Sequence, residues 1–335
     1  MNTNTVSLPD IMPTTAALSA QDRWDHIVAR LGIRRMSHKV TPGLYALGNP
    51  TPESPVFVTA NYTLSFDALR SALKGINVYI MVLNTQAINV WCAAGKGAFG
   101  TFELTRRIEQ TRLAEVVRHR KLILPQLSAT GVSAHKVKKQ SGFTVEYGPV
   151  RAENLPEYLK THQATPQMRQ VRFNLKDRLT LAPVEIVNLL LPILAAAVVF
   201  FFLSGWLWAL GVLAAFLAGT ALFPAFLFCL PTKDFSSKGY ILGFVVALPF
   251  AIIHFARSVG PWWIRLLGSL PLLLILPVVT SFISLNFTGA STFTSPTGTR
   301  REIFKYIPIM AWLFGSGIVL FIFVTIMRFF GGWHV

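Results

Sequence analysis

Hydrophobic residues are spaced differently in the two halves of this 335-residue chain. From Val184 onward they form five nearly continuous runs, each close to the ~20 residues of helix that span a bilayer core. These runs cover about 184–203, 205–230, 239–256, 266–286 and 303–329. The pattern therefore predicts an all-α transmembrane domain with five helices.

Before Val184, short apolar runs alternate with segments of helical periodicity. The run Asn77–Leu83 is apolar almost throughout, which is typical of a strand buried on both faces. This alternation favours βαβ units and a Rossmann-like α/β domain with a parallel sheet, whose ligands bind at the carboxyl ends of the strands. Strands are predicted at 55–60, 77–83, 121–124 and 143–147, and helices at 64–73, 102–118, 133–140 and after 154–156.

Four parts make up the predicted domain organisation. They are an N-terminal helical lead-in at 1–50, the α/β domain at 51–165, a basic juxtamembrane linker at 166–183 and the transmembrane domain at 184–335.

Lysines and arginines are unequally divided between the two ends of the predicted helices. One side carries Arg169, Arg172, Lys176, Arg178, Lys233, Lys238, Arg300, Arg301 and Lys305, and the other carries Arg257, Arg265 and Arg328. The positive-inside rule then predicts a multi-pass protein of the inner (cytoplasmic) membrane, with its N-terminal domain in the cytoplasm and its C-terminus outside. Trp262, Trp263 and Trp333 fit an aromatic belt on the outer side.

Composition and charge exclude several classes of function. The net charge of +16 is not gathered in a block of like charges, so it does not indicate a nucleic-acid partner. Two cysteines, Cys92 and Cys229, are too few for a four-cysteine zinc site or for an iron–sulfur cluster held by this chain alone. Charged residues are absent from the middle of the predicted helices, which counts against a transporter or proton pump.

A glycine-rich stretch follows the predicted strand 77–83 and agrees only in part with two phosphate-binding motifs. A P-loop fails, because Val90 and Gly97 stand where it needs Gly and Ser or Thr. Gly95–Gly100 matches the spacing G-x-G-x-x-G, but it starts a dozen residues after the strand instead of directly after it. A transporter or receptor with a cytosolic nucleotide-binding domain is therefore kept only as an alternative.

The same stretch predicts a short helix that carries a cysteine. Asn89 is a good N-cap, Val90–Ala94 can form one turn and a half of helix, and Gly95 would end it at the C′ position. Cys92 would then be the third helical residue, where the helix dipole and Lys96 favour the thiolate over the thiol. The prediction is a soft anionic ligand at the ligand-binding edge of the sheet. The alternative is a structural cysteine buried in the core, which is common for a single cysteine.

Asn89–Lys96, followed by five apolar runs, resembles the HgcA family, the membrane-bound corrinoid proteins of microbial mercury methylation. The preceding domain is similar to the corrinoid-binding domain in the large subunit of the corrinoid iron–sulfur protein. The resemblance covers about residues 55–335, and its other segments are Val58–Phe66, Leu124–Leu127, Gly148–Val150 and Asn286–Pro296. Two departures are the missing four-cysteine cluster domain and the missing D-x-H-x-x-G pattern by which other corrinoid enzymes supply an imidazole ligand.

The resemblance implies a corrinoid-dependent methyltransferase that transfers a methyl group from cobalt to Hg(II), giving methylmercury. Its cofactor would be a base-off corrinoid of the cobalamin type with the Cys92 thiolate as lower axial ligand, and this chain would hold no iron–sulfur cluster. The implied partners are an HgcB-like ferredoxin with two 4Fe–4S clusters, a methyltetrahydrofolate-linked methyl donor, Hg(II) and the lipid bilayer, with no nucleic acid. A membrane-anchored corrinoid carrier for another methyl acceptor is the alternative within this class.

Candidate corrinoid-binding residues lie in the cysteine helix or after predicted strands. They are Thr59, Asn61, Tyr62, Thr63, Asn89, Val90, Trp91, Cys92, Ala93, Ala94, Gly95, Lys96, Pro125, Gln126, Leu127, Gly131, Gly148 and Pro149. Cys92 is also the predicted catalytic residue and the ligand of the corrinoid cobalt. The predicted loop 286–305 is a candidate for docking the α/β domain at the membrane or for guiding mercury.

Overall fold

The computed structural model describes residues 10–291 and 293–330, and these form two compact units. The first unit ends at Arg172 and the second begins at Phe173. The C-terminus, predicted to lie outside, and Trp333, predicted to belong to an aromatic belt, lie outside the described residues.

A six-stranded sheet forms the centre of the first unit. Its strands are β1 (Ile11–Thr14), β2 (Gly43–Leu47), β3 (Val56–Ala60), β4 (Val78–Leu83), β5 (Lys121–Leu124) and β6 (Thr144–Tyr147). They lie in the order β1-β2-β4-β3-β5-β6, and every neighbouring pair is parallel except β2 with β4. The predicted parallel α/β sheet is therefore confirmed for β3 to β6, whose carboxyl ends share one edge.

Two of these strands fall within the predicted helical lead-in at 1–50, so that prediction is wrong for β1 and β2. Only α1 (Ala20–Arg30) is an α-helix in the described part of that range. β1 has four residues, one of them Pro13, and shows no readable alternation. β2 exists because it pairs with β4, for example Leu44 with Met81, and such a partner cannot be recognised from local pattern.

Helices cover both faces of the sheet. They are α2 (Thr63–Ala72), α3 (Val90–Gly95), α4 (Thr101–Gln110), α5 (Leu113–Val116), α6 (Ala134–Ser141) and α7 (Leu155–Thr161). One hydrophobic core joins the sheet to α3, α4 and α6, and contains Ala93, Leu104 and Val137. The core on the other face contains Phe66 and Leu69 of α2. Burial on both faces explains why the β4 segment is apolar throughout.

The helix predicted at 102–118 is two helices, α4 and α5. Arg112 takes a left-handed conformation (φ 48°) between them, and this turn ends the helical path. Leu113, the first residue of α5, is completely buried in the core. The amphipathic pattern is continuous through this region, so it does not indicate the break. The break depends on burial of this leucine, which is a tertiary contact.

The second unit consists of helices. They are α8 (Leu175–Leu179), α9 (Ala182–Ser204), α10 (Trp206–Leu217), α11 (Phe223–Phe226), α12 (Phe235–Arg257), α13 (Trp262–Asn286) and α14 (Pro296–Phe330). A π-helical turn at 218–222 connects α10 with α11. Within the described residues, five helical stretches are long and apolar enough to cross a membrane. This confirms the five predicted apolar helices, although the second ends at Phe226 instead of 230.

Small residues allow α12 and α13 to pack at close range. A Cβ atom added to Gly243 would lie 2.7 Å from the Cα of Pro277, and one added to Gly239 would lie 2.9 Å from the Cα of Ser281. The Ser281 hydroxyl also donates a 2.6 Å hydrogen bond to the carbonyl of Ser236. Close backbone approach with interhelical hydrogen bonds is the usual way in which membrane helices associate.

A buried carboxylate links α14 to the start of α12. Glu302 is 6% exposed; its Oε1 accepts from the Phe235 N–H at 3.2 Å, and its Oε2 accepts from the Ser236 N–H at 3.2 Å and the Ser236 hydroxyl at 3.1 Å. The predicted loop 286–305 is therefore largely structured, since α13 ends at Asn286 and α14 begins at Pro296.

We predict that Glu302→Gln lowers the free energy of unfolding by about 2 kcal/mol, because the amide NH₂ replaces an acceptor and faces buried donors. Arg301→Gln is the matched control: its side chain is 75% exposed and lies 3.5 Å from Asp234, so its loss changes stability by about 0.5 kcal/mol. Equilibrium unfolding in mixed detergent micelles measures both, and equal effects would contradict the role assigned to Glu302.

Candidate functional site

Asn61 lies directly after β3 and holds the loop that follows β4. Its side chain is 2% exposed, and its Oδ1 accepts hydrogen bonds from the Thr85 N–H (3.0 Å), the Thr85 hydroxyl (2.9 Å) and the Ala87 N–H (3.1 Å). The loop turns sharply, since Gln86 and Ala87 both have left-handed φ values of 56° and 58°. One side-chain oxygen therefore determines where the chain leaves the sheet toward α3.

The cysteine helix α3 begins as predicted. The Asn89 Oδ1 accepts the Cys92 N–H at 2.9 Å, which confirms Asn89 as N-cap and Cys92 as the third helical residue. Its end differs from the prediction, because Gly95 is the last residue of the helix and Lys96 is the C-cap. Gly97 takes the left-handed conformation (φ 81°), so it provides the turn that was predicted for Gly95.

Backbone contacts hold α3 against its neighbours. Ala93 and Ala94 are buried, and the Phe99 N–H donates to the Ala93 carbonyl at 3.0 Å. Gly131, in the loop after β5, approaches so closely that an added Cβ would lie 2.3 Å from the Phe99 oxygen and 2.9 Å from the Ala94 oxygen. The Gly131 carbonyl accepts the Thr101 N–H at 3.3 Å. Any side chain at Gly131 would therefore push α3 away from this loop.

Cys92 is partly exposed, while Ala93 and Ala94, the residues after it, are buried. Gly95 and Lys96 are exposed. Among the described residues, no three or more His, Cys, Asp or Glu side chains lie close enough to hold a metal ion together. Cys92 thus presents a partly exposed sulfur atom on the helix at the sheet edge.

The loops after β5 and β6 are joined at the same edge. The Gln126 N–H donates to the Pro149 carbonyl at 3.4 Å, and the Gly148 N–H donates to the Leu124 carbonyl at 2.8 Å. The Gln126 Oε1 accepts a hydrogen bond of 2.6 Å from the Arg169 guanidinium. The structure therefore brings together candidates from the loops after β3, β4, β5 and β6, with Pro125, Gln126 and Leu127 partly buried.

Some candidates lie elsewhere or serve the fold. Thr59 is 3% exposed and lies two residues after Phe57 in β3, so it shares the sheet face of α2 and not that of α3. The Asn61 side-chain oxygen accepts hydrogen bonds from the loop at 85–87, so this residue positions the loop. Tyr62 and Thr63 are partly buried at the start of α2, and burial raises the pKa of the Tyr62 phenol, an effect that Arg35 and Arg30 oppose.

A cleft of about 540 Å³ lies at this edge beside β2 and β4. Its lining residues are Met36, Lys39, Val40, Thr41, Pro42, Asn61, Asn84 and Gln86, and Cys92 is not among them. Of these, only Asn61 was a predicted site residue. The five at 36–42 were missed because β2 was not predicted: it runs antiparallel to β4, with Gly43 opposite Val82, and this brings the segment before β2 to the carboxyl ends. Asn84 and Gln86 lie in the loop after β4, which was predicted to follow a strand but not to line a cleft.

The residues at this edge of the sheet belong to a segment that matches a known protein family. Residues 33–159 match the family model described as CO dehydrogenase/acetyl-CoA synthase delta subunit. That segment contains α3 and the four joined loops. It precedes the five apolar helices and starts after α1.

Curated relatives agree with the family match. The chain is 33% identical over 124 residues to the acetyl-CoA decarbonylase/synthase complex subunit gamma of Archaeoglobus fulgidus, covering 36% of this chain and 26% of that protein. It is 31% identical over 128 residues to the subunit gamma of Methanopyrus kandleri, covering 38% and 27%. The chain therefore spans about a quarter of the length of these relatives.

We predict that Asn61→Ala lowers the free energy of unfolding by about 2–3 kcal/mol, because three donors at 85 and 87 lose their buried acceptor. Hydrogen–deuterium exchange of the amides at 85–96 should rise at the same time. Asn84→Ala is the control, since Asn84 is exposed and accepts a single 3.2 Å bond from the Gln86 N–H. Unchanged exchange in Asn61→Ala would show that other contacts hold the loop.

Gly131→Ala and Gly95→Ala form a second matched pair. The first should lower the thermal unfolding midpoint, since its Cβ meets backbone oxygens that cannot move independently. An added Cβ at Gly95 meets nothing within 4 Å, so that variant should be neutral or stabilise α3 by up to about 1 kcal/mol. A wild-type midpoint for Gly131→Ala would contradict the close approach.

Proposed function

We propose that the α/β unit binds a corrinoid of the cobalamin type, with the Cys92 sulfur as lower axial ligand of cobalt, and that this chain is a membrane-anchored corrinoid-dependent methyltransferase. The observation that carries the proposal is the partly exposed Cys92 on a short helix held at the carboxyl edge of a parallel sheet. Further support comes from the match of residues 33–159 to a family of corrinoid iron–sulfur proteins.

The residues at this edge fit such a group. A corrin ring supplies four nitrogen ligands of its own, so the protein needs to offer one axial donor, and Cys92 is a single soft donor. When bound, the cofactor would supply a cobalt-bound methyl group. Cys92 would hold the cobalt as a thiolate, and its electron donation would favour release of that methyl group to a soft acceptor.

The chain's own residues would keep the sulfur in place. Asn89 orders the first turn of α3, Asn61 orders the loop before it, and Gly131 limits its distance from the loop after β5. Trp91 and Val90 are partly buried beside Cys92, and Lys96 is an exposed cation at the end of the helix. These residues are proposed to surround the lower face of the ring, together with Pro125–Leu127 and Pro149.

The acceptor is proposed to be Hg(II), with methylmercury as product. Support comes from Asn89–Lys96 and the five apolar helices that follow, the combination that resembles the HgcA family. These 335 residues contain two cysteines, so low-potential electrons are proposed to come from an HgcB-like ferredoxin with two 4Fe–4S clusters. The methyl group is proposed to come from a methyltetrahydrofolate-linked donor, and the α/β unit to lie on the cytoplasmic side of the inner membrane.

Replacement of Cys92 by Ala tests the axial ligand, with Cys229→Ala as the matched control because Cys229 is the other cysteine and lies in the helical unit. Purified chains in detergent are reconstituted with cobalamin, and the absorption spectrum and methylmercury yield are measured with a chemical reductant and a methyl donor. Cys92→Ala should lose the sulfur-ligated spectrum and reduce the yield by roughly tenfold or more. Cys229→Ala should retain both.

Each part of the proposal can fail separately. An unchanged spectrum and yield in Cys92→Ala would exclude the axial-ligand role. Corrinoid binding without methylmercury would favour a carrier for another acceptor. A wild-type chain that retains no corrinoid would favour the transporter or receptor alternative.

A further inference from the structure

The helix α1 has its charged side turned toward the protein. Asp22, Asp25 and His26 are spaced three and four residues apart and therefore share one face. The Asp22 Oδ2 accepts from the Arg70 guanidinium at 2.8 Å, and His26 lies 2.7 Å from the Asp67 carboxylate. Charged and polar side chains thus attach this helix to α2.

These contacts belong to a network that is largely buried on the α2 side. Asp67 is 2% exposed and Arg70 is 6% exposed, and they form a pair at 2.6 Å. Arg70 also donates to the carbonyls of Thr15 and Ala17 at 2.7 and 2.9 Å. Asp25 continues the contact to the buried His38 at 2.7 Å. Several partners on both sides of α1 therefore fix its rotation about its own axis.

The apolar face of α1 consequently points away from the core. Trp24 is 65% exposed and Ile27, one turn later, is 50% exposed. The segment after the helix adds Ile33 and Met36, which are 43% and 59% exposed. We name these four residues the α1 patch. Exposed apolar side chains grouped in this way commonly mark a surface that contacts a protein partner or a membrane.

Cations surround the α1 patch. Arg23 and Arg30 lie at the border of its helical part, and Arg34 and Arg35 stand between Ile33 and Met36; all four are exposed. Tryptophan and aliphatic residues bordered by arginine are the composition of helices that lie in the interface of an anionic bilayer. The charges complement anionic lipid headgroups.

We propose that the α1 patch docks on the surface of an anionic lipid bilayer, with the axis of α1 in the plane of the interface. A bilayer is the favoured partner because the described part of the same chain includes five helices long and apolar enough to cross one. Such helices would keep lipid at high local concentration. The family match begins at residue 33, so α1, like those five helices, lies outside the matched segment. This inference does not depend on the corrinoid proposal.

Site-specific photo-crosslinking of the full chain tests the docking. The photoreactive amino acid p-benzoyl-phenylalanine replaces Trp24 in one variant and Phe102 in the control. Phe102 is 77% exposed and lies on α4. That helix packs on one face of the sheet, and α2, to which α1 is attached, packs on the other. Both variants are placed in nanodiscs of phosphatidylcholine with phosphatidylglycerol, and lipid adducts are counted by mass spectrometry. We expect about fivefold more lipid adduct at position 24 than at position 102.

The dependence of lipid adduct on the charge of the lipid and of the protein is the second readout. Nanodiscs of phosphatidylcholine alone should give less adduct at position 24, and adding Arg30→Gln should lower the yield in the anionic nanodiscs by up to about fivefold. Equal lipid adduct at positions 24 and 102 would overturn the proposal. Adducts at position 24 that join two copies of the chain, without lipid, would overturn it in favour of self-association.

Discussion

The carboxamide oxygen of Asn61 is the contact on which the candidate site depends. It binds two backbone N–H groups and one hydroxyl of the loop after β4, and it does so from the end of the neighbouring strand. Two adjacent left-handed residues in that loop have no helical or sheet hydrogen bonds to keep them in place. The direction of the chain into α3, and with it the position of Cys92, therefore follows from a side chain 24 residues earlier.

Close backbone approach is a second constraint, and both units use it. In the α/β unit Gly131 meets the carbonyls of Phe99 and Ala94, and in the helical unit Gly243 meets Pro277. A side chain at either glycine would separate two segments, since the opposing atoms belong to the backbone. Such contacts keep α3 in one position in the first unit and hold α12 against α13 in the second.

Local patterns predicted the elements whose stability is local. The cap from Asn89 to the Cys92 N–H spans three residues, so the residue types alone were enough to place it. Gly95 and Gly97 were harder to distinguish, because both can end a helix and only the observed φ shows which one does. The break between α4 and α5 was missed because burial of Leu113 required a turn at Arg112 that no turn residue announces.

The sequence by itself determined the five apolar helices, the parallel strands β3 to β6 and the capped cysteine helix, because each rests on hydrophobic spacing or on contacts within one turn. Tertiary structure alone decided that β2 joins the sheet and that a cleft forms between the segment before β2 and the loop after β4. It also decided that Asn61 binds the loop after β4. It further decided that α1 turns its acidic face inward, through bonds such as that from the Arg70 guanidinium to the Asp22 carboxylate, 48 residues away. Partners so distant in the chain leave no periodic signal, and folding alone brings them together.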